Sequence, residues 1–394
     1  MAVIKNGTRK SVAAIIAEYN PFHNGHKYHI EQTRLKGADF VIAIMSGNTV
    51  QRGETAIFDK HFRAKSAINN GCDLVIELPY PYSSASARDF AFGAVSIIKR
   101  LGVVDTLSFG CEDDDASLLK DTANACSELT ESEIVSSYMK SGMSYPSAIH
   151  KAICEQYGHR HVNCLSSPNN TLAIEYISAL DRLSCDIGIL PVKRSGSGHD
   201  TDEISGNIAS ASHIRSLIRN GEDSSAFLPY DISDAVFGDI DRISDMILLS
   251  LISDIKALDR LPEELSVRVR NVLTQGSAKT FNELVDAVKS KNFTRARISR
   301  ELLSAFIHSM SGIQPTDVLP YARVLAFNDN GRLLLKEIEK RSENITVSSS
   351  LSELEKYSYE LSALDNFTSR IQSLSACKSI SNEFTGKFDG YIKD

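Results

Sequence analysis

Short runs rich in Val and Ile alternate with segments of helical spacing through the first half of the chain. The runs lie at residues 12–17, 40–45, 74–78, 106–109 and 187–192. Between them, residues 86–101 place apolar side chains on one stripe, as in an amphipathic helix. Strands that alternate with helices in this way form a parallel sheet with helices on both faces. We therefore predict an α/β fold.

The second half of the chain follows a different pattern. Beyond residue 231 the β-rich runs largely disappear, and Leu, Ile and Val recur at helical spacing. A chain of 394 residues is long enough for two or three domains. We predict an α/β domain at residues 1–230 and a separate, mainly helical C-terminal domain at residues 231–394. The glycine- and serine-rich run at residues 195–207 predicts a mobile loop.

Composition and charge exclude several classes of protein. Apolar residues make up 42% and charged residues 24% of the chain, as in folded soluble proteins. The sequence shows neither a secretory signal nor a run of eighteen apolar residues, so we expect a cytoplasmic protein without a membrane segment. Seven cysteines without a CxxC pair favour reduced thiols. The net charge of −7 argues against an entirely nucleic-acid-binding surface, but it allows a local basic patch.

Two histidines follow the first predicted strand, at the point where a helix is expected to begin. His23 and His26 are three residues apart, so both rings lie on one face of the first helical turn, beside unpaired backbone N–H groups. This arrangement suits an anion, such as the α-phosphate of a nucleotide under attack. Gly25 leaves room for a nucleotide to approach. Structural histidines at a strand-to-helix turn are an alternative, and so is a zinc site, although no third ligand lies at metal-like spacing.

Longer motifs surround these histidines and recur along the chain. They are EYNPFHNGH at residues 18–26, MSGN at 45–48, QRGE at 51–54, DLVIELP at 73–79, SPNN at 167–170, VKR at 192–194, ASASHIR at 209–215 and YARVL at 321–325. Together they resemble the tRNA(Met) cytidine acetate ligase family of the HIGH-type nucleotidyltransferase superfamily. Thr49, Thr55 and Cys111 depart from the family pattern, but none of them removes a charged or imidazole group.

The resemblance implies a Rossmann-like parallel sheet of the nucleotidyltransferase type and a two-step reaction. Acetate attacks the α-phosphate of ATP to give acetyl-adenylate, and the wobble cytidine of elongator tRNA(Met) then takes the acetyl group. The implied catalytic residues are His23 and His26, with Mg²⁺ expected to accompany ATP. The implied ATP-binding residues are Ile16, Ala17, Glu18, Tyr19, Asn20, Pro21, Phe22, His23, Asn24, Gly25, His26, Lys27, Tyr28, His29, Gly110, Asn169, Arg194, Ser212 and Arg215.

Acetate and tRNA need contacts of their own. Ser46, Asn48 and Arg52 follow the second strand and are our candidates for binding acetate, although this segment could instead be a phosphate-side loop or a simple turn. For the tRNA backbone, residues 289–300 carry five basic side chains and no acid. Such a run could also be a solvated helix face. The candidate tRNA contacts are Lys289, Lys291, Arg295, Arg297 and Arg300. No protein partner is implied.

Two other functions remain open at this point. An adenylyltransferase of cofactor biosynthesis would explain His23 and His26 but leaves the helical domain and its basic run without a role. A non-catalytic, nucleotide-responsive RNA-binding protein would not need both histidines together with Arg194 and Arg215. The products formed from ATP distinguish the three functions.

Overall fold

The computed structural model of the chain describes residues 3–5, 8–194, 206–314, 319–386 and 390–393. Nearly all of the predicted loop at residues 195–207 lies outside these described residues. The strands are β1 (Val3–Lys5), β2 (Thr8–Lys10), β3 (Val12–Ala17), β4 (Phe40–Ser46), β5 (Thr49–Val50), β6 (Glu54–Thr55), β7 (Leu74–Leu78), β8 (Thr106–Cys111), β9 (Gly188–Lys193), β10 (Tyr321–Phe327) and β11 (Thr346–Ser348).

Helices cover both faces of the sheet and make up most of the C-terminal half. They are α1 (Asn24–Leu35), α2 (Lys60–Asn69), α3 (Ala87–Leu101), α4 (Ala116–Thr130), α5 (Glu133–Lys140), α6 (Tyr145–Tyr157), α7 (His159–Ser166), α8 (Pro168–Arg182), α9 (Ala211–Asn220), α10 (Ser244–Ser253), α11 (Ile255–Leu258), α12 (Glu263–Gln275), α13 (Phe281–Val288), α14 (Arg295–Ser311), α15 (Asp329–Arg341), α16 (Leu351–Leu354) and α17 (Tyr359–Ser375). Crossing a bilayer takes about 20 consecutive apolar residues, and none of these helices meets that requirement.

The central sheet has seven strands in the order β11-β10-β7-β4-β3-β8-β9. The five strands from β7 to β9 are parallel, which confirms the predicted α/β fold. After β3 the chain adds β4 and β7 on one side and then returns to add β8 and β9 on the other. Ligands in such sheets bind at this reversal, in the crevice beyond the carboxyl ends of the strands on either side of it. The candidate site is therefore expected beyond β3 and β8.

The parallel strands bury apolar side chains on both faces. Along β3, Val12, Ala14 and Ile16 belong to one core cluster, whereas Ala13 and Ile15 belong to another. Successive side chains of a strand point to opposite faces, so a strand covered on both sides must be apolar throughout. This requirement explains the unbroken Val- and Ile-rich runs of the sequence.

The C-terminal half contributes to the central sheet as well as forming helices. Helices α10 to α14 share a separate apolar core with part of α17. β10, however, pairs antiparallel with β7, and β11 pairs with β10. The sequence pattern predicts no strand in this part of the chain, although the YARVL motif contains the start of β10. The domain boundary at residue 230 stays a prediction.

Buried ion pairs join the C-terminal elements to the sheet. Nζ of Lys60 on α2 donates to Glu77 Oε1 on β7 at 2.9 Å and also to Asp365 on α17. Arg323 on β10 donates to Asp365 at 2.8 Å and to Glu383 at 2.7 Å. All five side chains are buried. This buried ion network therefore connects α2 and β7 to segments that follow them by more than 200 residues.

Replacing Arg323 by Met tests the contribution of this network. The variant leaves Asp365 and Glu383 buried without one of their cations, so we expect the free energy of unfolding to fall by roughly 3–5 kcal/mol. Equilibrium unfolding in urea measures the change. Lys340→Met is the matched control, since the Lys340 side chain is 67% exposed and such surface pairs contribute about 0–1 kcal/mol. Equal losses in the two variants would contradict the prediction.

Candidate active site

His23 and His26 cap the N-terminus of α1. Nδ1 of His23 accepts a hydrogen bond from the backbone N–H of Gly25 at 3.0 Å, and Nδ1 of His26 accepts one from the backbone N–H of His23 at 3.2 Å. This is a reciprocal capping box, here made by two imidazoles. A backbone N–H can only donate, so each Nδ1 is unprotonated. A neutral ring in this position carries its proton on Nε2, where it can be donated to a ligand.

The surroundings of these rings keep them neutral. Burial, followed by the nearby positive charges of Arg194 and Arg215, lowers the pKa of His23 to about 3. Burial also lowers the pKa of His26 well below its ordinary value, with His23 and Arg194 contributing. The two ring centroids are 3.8 Å apart. At neutral pH the helix therefore presents a pair of uncharged imidazole donors.

Gly25 makes room for the ring of His23. A Cβ at this position would lie 2.8 Å from Cε1 of His23, closer than real Cβ contacts come. The ring of His23 occupies the space beside the glycine, which also lines the cavity, so its predicted role of leaving room for a nucleotide stays a prediction. The glycine thus allows His23 to fold back and cap its own helix.

A cavity of about 350 Å³ opens at the carboxyl ends of β3 and β8. It lies at the reversal of strand order, as expected for this topology. Its walls include apolar side chains and the two histidines, with one described carboxylate, that of Glu18. Its basic side chains are Arg52, Lys193, Arg194, Arg215 and Arg300. In a chain of net charge −7, this concentration of cations favours a polyanionic ligand.

The cavity brings together most of the residues predicted to bind ATP. Phe22 packs instead in the apolar core, and the Asn24 amide donates to Asn207 and Ala226 carbonyl oxygens at 2.8 and 3.0 Å. Pro21 is buried, and Lys27 is exposed away from the cavity wall. The predicted residues that line the cavity are Ile16, Ala17, Glu18, Tyr19, Asn20, His23, Gly25, His26, Tyr28, His29, Gly110, Asn169, Arg194, Ser212 and Arg215.

Two arginines of the cavity are held by defined polar contacts. Nη1 of Arg194 donates to Asn169 Oδ1 at 3.2 Å, and the amide of Asn169 in turn donates to Glu112 at 2.5 Å. Nη1 of Arg215 donates to the carbonyl oxygen of Asn20 at 2.7 Å. Nη2 of Arg215 also donates to Ser212 Oγ at 3.2 Å, and its Nε lies 3.7 Å from Glu54 Oε1. Within the described residues, Arg194 therefore keeps more of its guanidinium N–H groups available to a ligand in the cavity than Arg215 does.

The three candidate acetate residues are separated by the structure. Ser46 and Asn48 are buried and do not line the cavity, whereas Arg52 is exposed on its wall. Both ends of the Asn48 amide have protein partners: Oδ1 accepts from the backbone N–H of Lys60 at 2.8 Å, and Nδ2 donates to Ser369 at 2.9 Å. The sequence places Ser46 and Asn48 just after a strand, but it does not specify whether their side chains point into the cavity or into the protein.

The five candidate tRNA residues also differ in environment. Lys289, Lys291, Arg295 and Arg297 are exposed, but Arg295 is already paired with Asp286. Arg300 lies on the cavity wall. Its Nη1 donates to the carbonyl oxygen of Gln51 at 3.0 Å. The basic run therefore begins on the surface and ends at the cavity.

Several cavity residues gave no signal in the sequence. Phe90 on α3 and Leu172 and Tyr176 on α8 form part of its apolar wall. Their spacing is that of ordinary core residues, because these helices pack against the sheet with the same face that borders the cavity. Only the tertiary arrangement distinguishes them.

Known proteins resemble the chain over nearly its whole length. The family model described as HIGH Nucleotidyl Transferase matches residues 10–385. A tRNA(Met) cytidine acetate ligase of Acetivibrio thermocellus is 35% identical over 362 residues, covering 84% of this chain and 86% of the relative. A protein of the same name from Clostridium perfringens is 36% identical over 359 residues, covering 84% of this chain and 88% of the relative.

Two crystal structures of Thermotoga maritima TmcAL resemble the fold. The apo form has a TM-score of 0.86 at 27% identity. The form bound with alpha-thio ATP has a TM-score of 0.83, also at 27% identity. Each comparison covers 98% of this chain and 100% of the other. The similarity therefore includes both halves of the molecule.

The caps predict how the histidines respond to pH. We expect His23 to keep a proton on Nε2 and none on Nδ1 from pH 8 to pH 5, because burial lowers its pKa to about 3. We expect the same tautomer of His26 at neutral pH, because burial lowers its pKa well below the ordinary value. Long-range ¹H–¹⁵N correlation spectra, assigned with a His23→Asn variant, measure the tautomers. In the unfolded chain His23 takes up a proton near pH 6.5, whereas in the folded chain it does so only near pH 3. Because the unfolded state binds more protons between these values, His23 lowers the free energy of unfolding as pH falls from 6.5 to 3. Titration of either ring near pH 6.5 would contradict the assignment.

Proposed function

The chain belongs to the HIGH nucleotidyl transferase family and, within it, to the tRNA(Met) cytidine acetate ligases, and we propose that it makes acetyl-adenylate in the cavity beside His23 and His26. It is an ATP-dependent ligase of this family. The acetyl group then passes to the wobble cytidine of elongator tRNA(Met), giving N4-acetylcytidine. The observation that supports this proposal most directly is the pair of neutral imidazole donors set among the cations of the cavity.

The first step is an attack by an acetate oxygen on the α-phosphate of ATP. Negative charge builds on the phosphate oxygens as pyrophosphate departs. The Nε2–H groups of His23 and His26 stabilise this charge, and Arg194 and Arg215 hold the phosphates. Donors preoriented by their own helix cap need no rearrangement as the charge develops, which is the main advantage of an electrostatic site of this kind.

Magnesium is the expected companion of ATP. The described part of the chain has no cluster of three or more His, Cys, Asp or Glu suited to a metal ion, and Glu18 is the one described carboxylate on the cavity wall. Mg²⁺ commonly binds through phosphate oxygens and water with few protein ligands. We propose that Mg²⁺ would be held mainly by the ATP phosphates rather than by a protein cluster, and that it would offset part of their negative charge.

Acetate and tRNA are assigned to the remaining basic groups. Arg52 is the candidate donor to the acetate carboxylate, since Ser46 and Asn48 do not reach the cavity. Lys289, Lys291 and Arg297 are exposed and are proposed to contact the tRNA backbone. We propose a cytoplasmic location, where both ATP and tRNA are found.

Pyrophosphate exchange tests the first step. With acetate present, we expect the wild type to exchange labelled pyrophosphate into ATP, with or without elongator tRNA(Met). His23→Ala should reduce this rate roughly 10²-fold or more, because it removes one oxyanion donor. His150→Ala is the matched control, as it removes an imidazole from α6, outside the cavity wall.

The other candidate functions give different outcomes. A stable adenylylated small molecule, formed without acetate, would indicate an adenylyltransferase of cofactor biosynthesis. No turnover of ATP under any condition, tRNA included, would indicate a binding protein. An equal loss in the His23→Ala and His150→Ala variants would remove the catalytic role of His23.

Salt dependence tests the tRNA surface. Replacing Lys291 and Arg297 together by Ala should weaken tRNA binding and flatten the plot of log affinity against log salt by about two, since each lost phosphate contact changes the slope by nearly one. Filter binding at several salt concentrations measures both quantities. The matched control replaces Lys336 and Lys356, exposed lysines of other segments. An unchanged slope in the first variant would show that this run does not contact tRNA.

A further inference from the structure

Glu18 is an exception to the charge of its surroundings. It directly follows β3 and lines the cavity together with five basic side chains. A carboxylate opposes the binding of phosphates, so its presence on this wall is not explained by contact with the ATP phosphates. A carboxylate is better suited to accept hydrogen bonds from a ligand that carries N–H groups.

Backbone groups fix Glu18 and connect it to the basic run. The N–H of Gln51 donates to Glu18 Oε1 at 2.6 Å, and the carbonyl oxygen of Gln51 accepts from Arg300 at 3.0 Å. Oε2 has no hydrogen-bond partner within the described residues. The backbone of Gln51 therefore links the Glu18 carboxylate to helix α14. The second carboxylate oxygen, Oε2, can still accept a hydrogen bond from a ligand.

Close packing holds this segment against α14. A Cβ at Gly53 would lie 2.3 Å from the backbone nitrogen of Arg300, and Gly53 has a φ of +78°. Only glycine fits here, both because of the backbone contact and because of the left-handed conformation. The hairpin that carries Gln51 is thus seated directly on the helix proposed to meet tRNA.

Glu18 and the histidines have different electrostatic neighbours. Arg215, Arg52 and Glu54 are among the charged groups that act on Glu18, whereas Arg194 and Arg215 act on His23. Arg215 is common to both sets. The contacts from Gln51 to Glu18 and Arg300 place this carboxylate where the cavity borders α14, so we infer that phosphate chemistry takes place nearer Arg194.

The second step of the reaction needs a base. The N4 amine of cytosine is a poor nucleophile, because its lone pair is delocalised into the ring, and it must lose a proton as it is acylated. Carboxylates are the side chains that accept hydrogen bonds from cytosine N4. A single carboxylate could therefore both recognise the base and receive its proton.

We propose that Glu18 is the catalytic base of acyl transfer, accepting the N4–H of the cytidine on Oε2; this inference rests on the proposed function. The N4 lone pair forms the bond to the acetyl carbonyl carbon, and the bond from that carbon to the phosphate oxygen breaks. AMP leaves with the electron pair of the broken bond. One N4 proton passes to Oε2 and from there to solvent.

The environment of Glu18 fits this role. Burial raises its pKa, against the hydrogen bond from Gln51 and the charges of Arg215 and Arg52. A base whose pKa is closer to the working pH transfers protons more effectively. The ionisable groups that face this carboxylate are Arg52, Glu54, Arg63, Tyr176 and Arg215.

A comparison of the two half-reactions tests the proposal. Enzyme loaded with acetate and ATP is mixed with elongator tRNA(Met), and the single-turnover rate of N4-acetylcytidine formation is divided by the rate of pyrophosphate exchange. In Glu18→Gln, which keeps an oxygen for the Gln51 N–H, this ratio should fall roughly 10²-fold. Glu18→Asp restores a carboxylate and should recover part of the loss.

The pH profile provides a second measurement that needs only the wild type. The transfer rate should rise tenfold per pH unit at low pH and level off above the pKa of Glu18, and this rise should be absent in Glu18→Gln. An unchanged ratio in Glu18→Gln, or an Asp variant no faster than the Gln variant, overturns the role of Glu18. A wild type without acetate-dependent exchange overturns the proposed function itself.

Discussion

The guanidinium of Arg63 holds the carboxyl edge of the sheet together. It is fully buried, and it donates to the carbonyl oxygens of Glu18 at 2.6 Å, Ser46 at 3.0 Å and Phe58 at 2.9 Å, and also to that of Gly47. Strand ends leave carbonyl groups without partners, and burial makes each of them costly. Burial lowers the pKa of Arg63 only to about 10, so it stays charged near neutral pH. A lysine has too few donors, in the wrong geometry, for this task.

The loops fixed by Arg63 carry the candidate site, and the C-terminal half closes around them. The buried ion network of Lys60, Glu77, Arg323, Asp365 and Glu383 ties β10 and α17 to the same edge of the sheet. Burial raises the pKa of Glu77 to about 7. The cavity is thus bordered by segments from both halves of the chain, and this arrangement brings α14 to the cavity wall. The proposed tRNA surface on α14 and the proposed site of acetate activation therefore meet at the same cavity.

Much of the candidate site was predictable from the sequence. The two histidines, Arg194 and Arg215 carry charge or imidazole groups within motifs, and the structure brings them to one cavity. Ser46 and Asn48 were chosen by position alone, and their side chains turn into the protein. The apolar wall was not predicted, because a core residue and a cavity residue on the same helical face have the same spacing.

Local pattern was sufficient for the parallel sheet, since strands buried on both faces must be apolar along their length and the helices between them amphipathic. It was also sufficient to place two histidines at the start of α1. The sequence did not indicate that residues 321–327 return to the sheet, that Arg300 reaches the cavity, or that Glu18 is the one carboxylate of the described residues on its wall. These features depend on contacts between residues hundreds of positions apart. The spacing of residues along the chain shows only which side chains share one face of a helix or strand. Tertiary packing decides whether that face borders the core, the cavity or solvent.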